Sequence, residues 1–182
     1  TFTWTVTNPA PTATNDSGAT TENATTSGNV LSNDTDSDND TLTVLAVNGV
    51  AGNVAGSVAG SNGGTFTVNA DGTYSFTPGT AFDDLAAGET RTTNVQYTVT
   101  DSQGGTSTAT LTVTVTGTND APTSTSIANQ SSVDGATVAF NVAGQFSDLD
   151  ATNTLTYSAS GLPGGLSINS TTGLISGTIA NN

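Results

Sequence analysis

The chain has 182 residues, one third of them hydrophobic, with no cysteine, no histidine, and 15 acids against a single base, Arg91, for a formal net charge of −14. That composition excludes disulfides and thiolate metal sites and offers no Ser-His-Asp or Cys-His constellation. It also opposes binding to nucleic acid or anionic membranes, because such binding needs Lys and Arg to displace counterions.

Residues 1–8, TFTWTVTN, alternate Phe2, Trp4 and Val6 with polar residues, the period-two pattern of a β-strand with one buried face. The segment runs straight into Pro9-Ala10-Pro11, with no partner strand of similar character nearby. It is therefore expected to be the closing strand of a preceding domain. A similar arrangement returns at 110–122, where TLTVTVTGTND leads into Ala121-Pro122. Closing strand plus Pro linker, repeated, implies tandem modules: residues 1–8, a whole domain over 9–120, and an incomplete domain over 121–182. The lack of an initiator Met and of a basic-then-apolar start suggests a piece of something longer. No run of 18 apolar residues exists, so membrane insertion by this segment is not expected.

Within 9–120 the strand candidates are 28–31, 41–47, 64–69, 73–77, 92–100 and 107–116, punctuated by turn signals at Asn48-Gly49, Asp71-Gly72 and Gly104-Gly105. Short strands with such punctuation argue for a sandwich. The glycine-rich stretch 49–64 lacks the Gly-Lys-Ser/Thr ending and following helix of a phosphate loop, and is expected to be a flexible loop or irregular hairpin. Segment 121–182 offers strands at 137–142, 154–159, 166–168 and 174–176. These are too few to close a sandwich, so its apolar face is expected to lie open. The fold class is all-β.

Acids and amides gather at Asn15-Asp16, Glu22, the DTDSDND run at 34–40, Asp101, Asn119-Asp120 and Asp148-Leu149-Asp150. In turn or extended backbone, residues i and i+2 can project toward one point. Several anions gathered without a cation repel one another, and calcium accepts about six to eight oxygens. DTDSDND lacks the glycine, the final glutamate and the flanking helices of an EF-hand; a solvated acidic turn is its plain alternative. Paired carboxylates could serve a glycosidase, but these lie in repeat-boundary loops rather than a shaped cleft. No enzyme is expected.

Residues 13–44 (ATNDSGATTENATTSGNVLSNDTDSDNDTLTV), GGTFTVNADGTYSFTP at 63–78 and VQYTVTDSQGGTSTATLTVTVTGTNDAP at 95–122 together resemble a VCBS-type, cadherin-like repeat of large bacterial adhesins. FSDLDATNTLTYSASGLPGGLSINSTTGLISGTI at 146–179 is similar to the opening of a dystroglycan-type cadherin-like, or Ig, domain, and TFTWTVTN resembles the final strand of that same type. These resemblances imply tandem Ig-like/cadherin-like β-sandwiches on the bacterial surface or in the secreted medium, often with RTX-type secretion. They also imply Ca²⁺ at the junctions, with Asn15, Asp16, Glu22, Asp36, Asp38 and Asp101 at the ligand positions of one site. Asn119, Asp120, Asp148 and Asp150 are the candidates for the next; the position matching Glu22 there falls near Asp134.

Two functions follow as expectations. In the first, the chain is a structural extender of an adhesin, its modules rigidified by calcium at the linkers and its partners neighbouring modules of the same kind. In the second, Phe2, Trp4 and Val6 enter the unfinished third segment of another copy, giving a head-to-tail filament by donor-strand addition.

Overall fold

The computed structural model describes residues 1–180. In chain order the strands are β1 (Asp16–Thr21), β2 (Thr26–Asn29), β3 (Thr43–Val47), β4 (Ser57–Ala59), β5 (Thr65–Val68), β6 (Thr73–Thr77), β7 (Thr90–Thr100), β8 (Thr106–Thr116), β9 (Thr123–Ser124), β10 (Thr137–Asn141), β11 (Phe146–Ser147), β12 (Leu166–Ile168) and β13 (Leu174–Thr178). Single 3-10 turns occur at Ala51–Asn53, Gly79–Ala81 and Ala143–Gln145. The chain forms two compact units, Thr1–Thr118 and the part from Asn119 onward.

The first unit is a sandwich of two four-stranded sheets, ordered β1-β8-β7-β3 and β2-β6-β5-β4. Its spine is the β7–β8 hairpin, paired without interruption from Thr90↔Thr116 to Thr100↔Thr106. Alternation decides the faces: Val95, Tyr97, Val99, Leu111, Val113 and Val115 point inward and are fully or almost fully buried, while most intervening threonines face outward, where β-branching favours the extended backbone. The second sheet answers with Phe66, Val68, Tyr74 and Phe76, and Val30, Val47, Phe82 and Leu85 close the core. Phe76 sits at its centre, its ring 4.5 Å from Phe66 and edge-on to Phe82 at 6.3 Å.

β1 runs parallel to β8, in register from Asp16↔Leu111 to Thr21↔Thr116. The chain thus enters the sandwich beside its own exit strand. At the foot of β3, Asn48 (φ 49°) and Gly49 (φ 74°) both adopt left-handed backbone, as a tight turn of this kind requires.

Several sequence expectations are corrected. Of the two expectations for stretch 49–64 the flexible loop is set aside and the irregular hairpin forms: after the turn Ala51–Asn53, β4 pairs with β5 through Val58↔Phe66, and Val58 joins the core. β1 was not anticipated at all. Residues 1–8, expected as a strand, belong to none, and Phe2, Trp4 and Val6 are 86%, 78% and 84% exposed. The alternation is present, but the segment pairs with no described strand.

In the second unit β10, β13 and β12 form an antiparallel sheet and β9 pairs with β11. The strand expected at 154–159 does not form; Tyr157 N–H instead donates to the Ser170 carbonyl at 2.9 Å, and its ring packs edge-on against Phe146 at 5.7 Å. Val142 is the one buried hydrophobic side chain among the unit's described residues.

Because Phe76 contacts both neighbouring rings, Phe76→Ala should lower the unfolding free energy by about 3–5 kcal/mol. Denaturant titration followed by circular dichroism measures this.

Candidate metal centres

The end of the first unit where β7 turns into β8 collects acids from three segments. β3 begins opposite this turn, with Thr43 paired to Thr100, so the loop 34–42 arrives at the same place. Asp101 opens the turn and is 3% exposed. Its Oδ1 accepts the amides of Gln103 (2.8 Å) and Gly105 (3.0 Å), and its Oδ2 accepts Asn8 Nδ2 at 2.7 Å. Residue 105 must be glycine here, since a Cβ would run into the Asp101 carboxylate and the Ala10 backbone. Gln103 Nε2 then donates to Asp40 Oδ2 at 2.7 Å, tying this turn to the acidic loop.

Within that loop Asp36 acts as the hub. Its Oδ1 accepts the amides of Asp38 (3.1 Å) and Asp40 (3.4 Å), an Asx-type turn. Carboxylate oxygens of Asp36, Asp38 and Asp40 all lie within 4.8 Å of one another. The carboxyls of Asp36 and Asp38 share a hydrogen bond, which holds Asp36 below the usual carboxylate range and pushes Asp38 above it. An open hollow of about 430 Å³ lined by Asp34, Asp36 and Asp40 adjoins the loop.

Beneath the hollow lies a second group that sequence reasoning missed. The Tyr97 hydroxyl, at the inner face of β7, is surrounded by four oxygens: Asp16 Oδ2 (2.7 Å), the carbonyls of Thr14 (2.9 Å) and Val30 (3.1 Å), and Asp34 Oδ1 (3.5 Å). Its single proton can satisfy one of them. Burial pushes the Tyr97 phenol far above its ordinary range, reinforced by the Asp16 and Asp34 charges. Asp34 and Asp16 are both raised, chiefly by burial, with Asp16's charge adding to the shift at Asp34. Asn15, by contrast, spends its Oδ1 on the Thr110 amide at 2.9 Å and helps dock the start of β1.

Glu22 must be moved from this group. It follows the last residue of β1, and β1 pairs with β8 up to Thr116. Glu22 therefore lies at the opposite end of the sandwich from Asp101, an eleven-residue strand away, or about 33 Å at 3.3 Å per residue. There it is 3% exposed, and its Oε1 accepts the Thr118 amide (2.7 Å) and hydroxyl (2.6 Å).

In the second unit the structure brings Asn119, Asp120, Asp148 and Asp150 together. Asp150 is 2% exposed; its Oδ2 accepts the Asp120 amide (3.1 Å) and Asn153 Nδ2 (2.6 Å), while Asp148 Oδ1 accepts the Asp150 amide (3.1 Å). Asn153, not foreseen, also reaches Asn119 Oδ1 at 3.5 Å. Asp134 is exposed.

Among the described residues, four buried carboxylate oxygens have no hydrogen-bond donor: Asp34 Oδ2, Asp36 Oδ2, Glu22 Oε2 and Asp150 Oδ1. An ionised oxygen buried without a partner is costly, and sets made only of carboxylate, amide and carbonyl oxygens suit a hard divalent cation. The residues present fit calcium.

Two face-packed sheets whose first strand runs parallel to the last, with acids in the end loops, define a cadherin-like β-sandwich. Residues 8–117 match the family described as bacterial cadherin-like domain, and the chain belongs to that family. Residues 121–182 match the family described as "Putative Ig domain". Among solved structures, a mouse cadherin-23 fragment (EC22-24) aligns over 96% of this chain and 56% of its own, at 16% identity and a TM-score of 0.57. A Drosophila N-cadherin fragment (EC1-4) aligns over 93% and 40%, at 16% identity and a TM-score of 0.44. The chain spans little more than half of the first of these structures, and the likeness concerns the fold. No curated protein matches the sequence.

Replacing Tyr97 by Phe removes the one phenolic proton available to these oxygens and should cost about 1–3 kcal/mol of stability, measured by denaturant unfolding. For Asp16 and Asp34 the folded pKa lies above the ordinary 3.8, so the folded state holds these protons more tightly than the unfolded state. Their contribution then becomes more favourable as pH falls through the folded pKa values, and the penalty is full above them. In chelator, Asp34→Asn should therefore raise the melting temperature at pH 7 and flatten its pH dependence between about pH 7 and 4, as differential scanning fluorimetry would record.

Proposed function

We propose that this chain is a structural extender segment of a bacterial surface or secreted adhesin, in which Ig-like modules in series are stiffened by calcium. The observation that carries this reading is the set of four buried, donorless carboxylate oxygens, placed at both ends of the first unit and beside Asn119-Asp120 in the second. Asp34, Asp36, Asp38 and Asp40 would hold a cation at one end, with Asp16 and Asp101 supporting them. Glu22 would hold one at the other end, and Asp148 and Asp150 with Asn119 and Asp120 in the second unit.

Bound calcium supplies positive charge and accepts oxygen ligands; the rest is done by the chain. Glu22 already grips Thr118 through backbone and side chain, and Asp150 grips Asp120 through its amide. Each carboxylate thus keeps one oxygen on the segment leaving or entering a module, and the other, which has no donor, would be the one to hold a cation. Neutralising these clusters removes the repulsion that would otherwise loosen the end loops, and the linker residues 119–120 lose freedom with them. The reading is non-enzymatic: the acids it uses lie in end loops or, for Asp16, at the start of a strand, and serve as ligands or caps. Extracellular modules commonly bind calcium with dissociation constants around 10⁻⁴ to 10⁻³ M, adequate outside the cell.

At about ten times the tighter of these constants, each site adds about 1.4 kcal/mol to stability. Replacing chelator by millimolar calcium should raise the melting temperature by several degrees, and Glu22→Gln and Asp150→Asn should each remove part of the gain. Equal melting temperatures in calcium and chelator would sink the proposal.

A further inference from the structure

The segment that leads into β1 is strapped to the acidic loop residue by residue, although neither stretch belongs to a strand there. Thr12 and Thr35 exchange both backbone hydrogen bonds, at 2.7 and 3.1 Å. The Thr14 amide donates to Asp34 Oδ1 at 2.7 Å, and Asn33 Nδ2 donates to the Asn15 carbonyl at 3.2 Å. Beneath these ties stands Tyr97, whose side chain is fully buried. Its hydroxyl meets Asp16 and Thr14 on the entry side and Val30 and Asp34 on the loop side. A ring held by close packing leaves its hydroxyl little freedom, so Tyr97 fixes the distance between two carboxylates from different segments.

Asp34 is the shared member. Its Oδ1 is used inside the protein, by the Thr14 amide and the Tyr97 hydroxyl, while its Oδ2 is buried without a donor. Asp34 lines the same hollow as Asp36 and Asp40, and Asp36 Oδ2 lacks a donor as well. One of the two oxygens that lack a donor at this hollow is therefore carried by a side chain already tied to the entry of β1. Without a cation, Asp16, Asp34 and the loop carboxylates repel one another, and this repulsion opposes the closeness that the strap imposes.

We propose that Tyr97 is the positioning residue of this loop's cation site, and that Asp34, held by it, makes cation binding there a clasp on residues 12–16. The proposal rests on the calcium reading at this one loop; the Glu22 and Asp150 positions do not depend on it. Tyr97 presets Asp34 and Asp16 from the core, so less ordering is left to be done when a divalent cation binds. Loss of a group that orients a ligand in this way typically costs about tenfold to a hundredfold in metal affinity. Asp34 then passes the gain to the Thr14 amide, and the strap holds the chain against the sandwich where β1 begins.

Amide NMR of the full, isotope-labelled chain titrated with calcium is the test, because the two ends of the first unit report separately. The Thr14 and Asp38 amides report the loop, and the Thr118 amide, bonded to Glu22, reports the far end. Thr14 and Asp38 should shift along one binding curve. In Tyr97→Phe that curve should move to about tenfold higher calcium, while the Thr118 curve stays in place. A purely structural Tyr97 would leave both curves unmoved and lower only the melting temperature, which overturns the proposal. A Thr14 amide that ignores calcium while Thr118 responds also overturns it and leaves the calcium reading standing at Glu22; if no amide responds, both fall. Should the variant not fold, hydrogen exchange of the unaltered chain decides. At calcium about ten times its constant, opening that frees the ion is suppressed about elevenfold, so Thr12 and Thr14 amides should exchange more slowly than in chelator by that factor. Unchanged exchange at both overturns the proposal.

Discussion

Fifteen carboxylates and one guanidinium leave this molecule almost without internal countercharge, and the architecture of its loops follows from that scarcity. Arg91 is fully engaged by Asp84, both of its terminal nitrogens on the two carboxylate oxygens, and it lies over the Phe82 ring at 5.7 Å. The other acids must find donors elsewhere. Backbone amides supply them: at Asp36 and Asp101 from their own turns, where successive N–H groups converge, and at Glu22 and Asp150 from the distant Thr118 and Asp120. Each bent loop is shaped around its carboxylate, and a carboxylate has more acceptor capacity than one turn can fill.

The sandwich separates the chemistry from the packing. Inward-facing valines and aromatics of β5 to β8 hold the first unit together, and the polar apparatus is confined to the loops at the ends. Tyr97 bridges the two, with its ring in the core and its hydroxyl among the oxygens of Thr14, Asp16, Val30 and Asp34. The second unit has a three-stranded sheet and a two-stranded one among its described residues. Its sheet is correctly paired and its acid cluster is formed, yet its apolar side chains stay half covered.

Strands marked by threonine alternation were legible because a period of two, with one apolar face, survives any tertiary context. That holds for β6, β7 and β8, found within a residue or two of the expected limits. β1 carries no such pattern: DSGATT has no apolar row, and it is held by parallel backbone pairing to β8, a long-range property that local reading misses. The converse error is residues 1–8, where a regular alternation joins no described strand. The acid clusters were legible as clusters. Their division between two ends was not, because Glu22 is carried away from Asp16 by β1. Nothing in the sequence set Tyr97 apart from the other inward residues of its strand, and Thr118 and Asn153 became visible as partners through hydrogen bonds across 96 and 3 residues respectively.

The parallel pairing of β1 and β8 has a mechanical meaning. The chain enters the first unit at Asp16 and leaves it after Thr116, so tension along the polypeptide pulls these adjacent strands in opposite directions along their shared length. Their ladder, in register over six residue pairs, is loaded in shear, with every backbone bond sharing the force, instead of being peeled open one bond at a time. Yielding then requires the whole ladder to slip together, a high barrier that slows forced unfolding. A module threaded in this way resists drag by its topology, before any ion contributes.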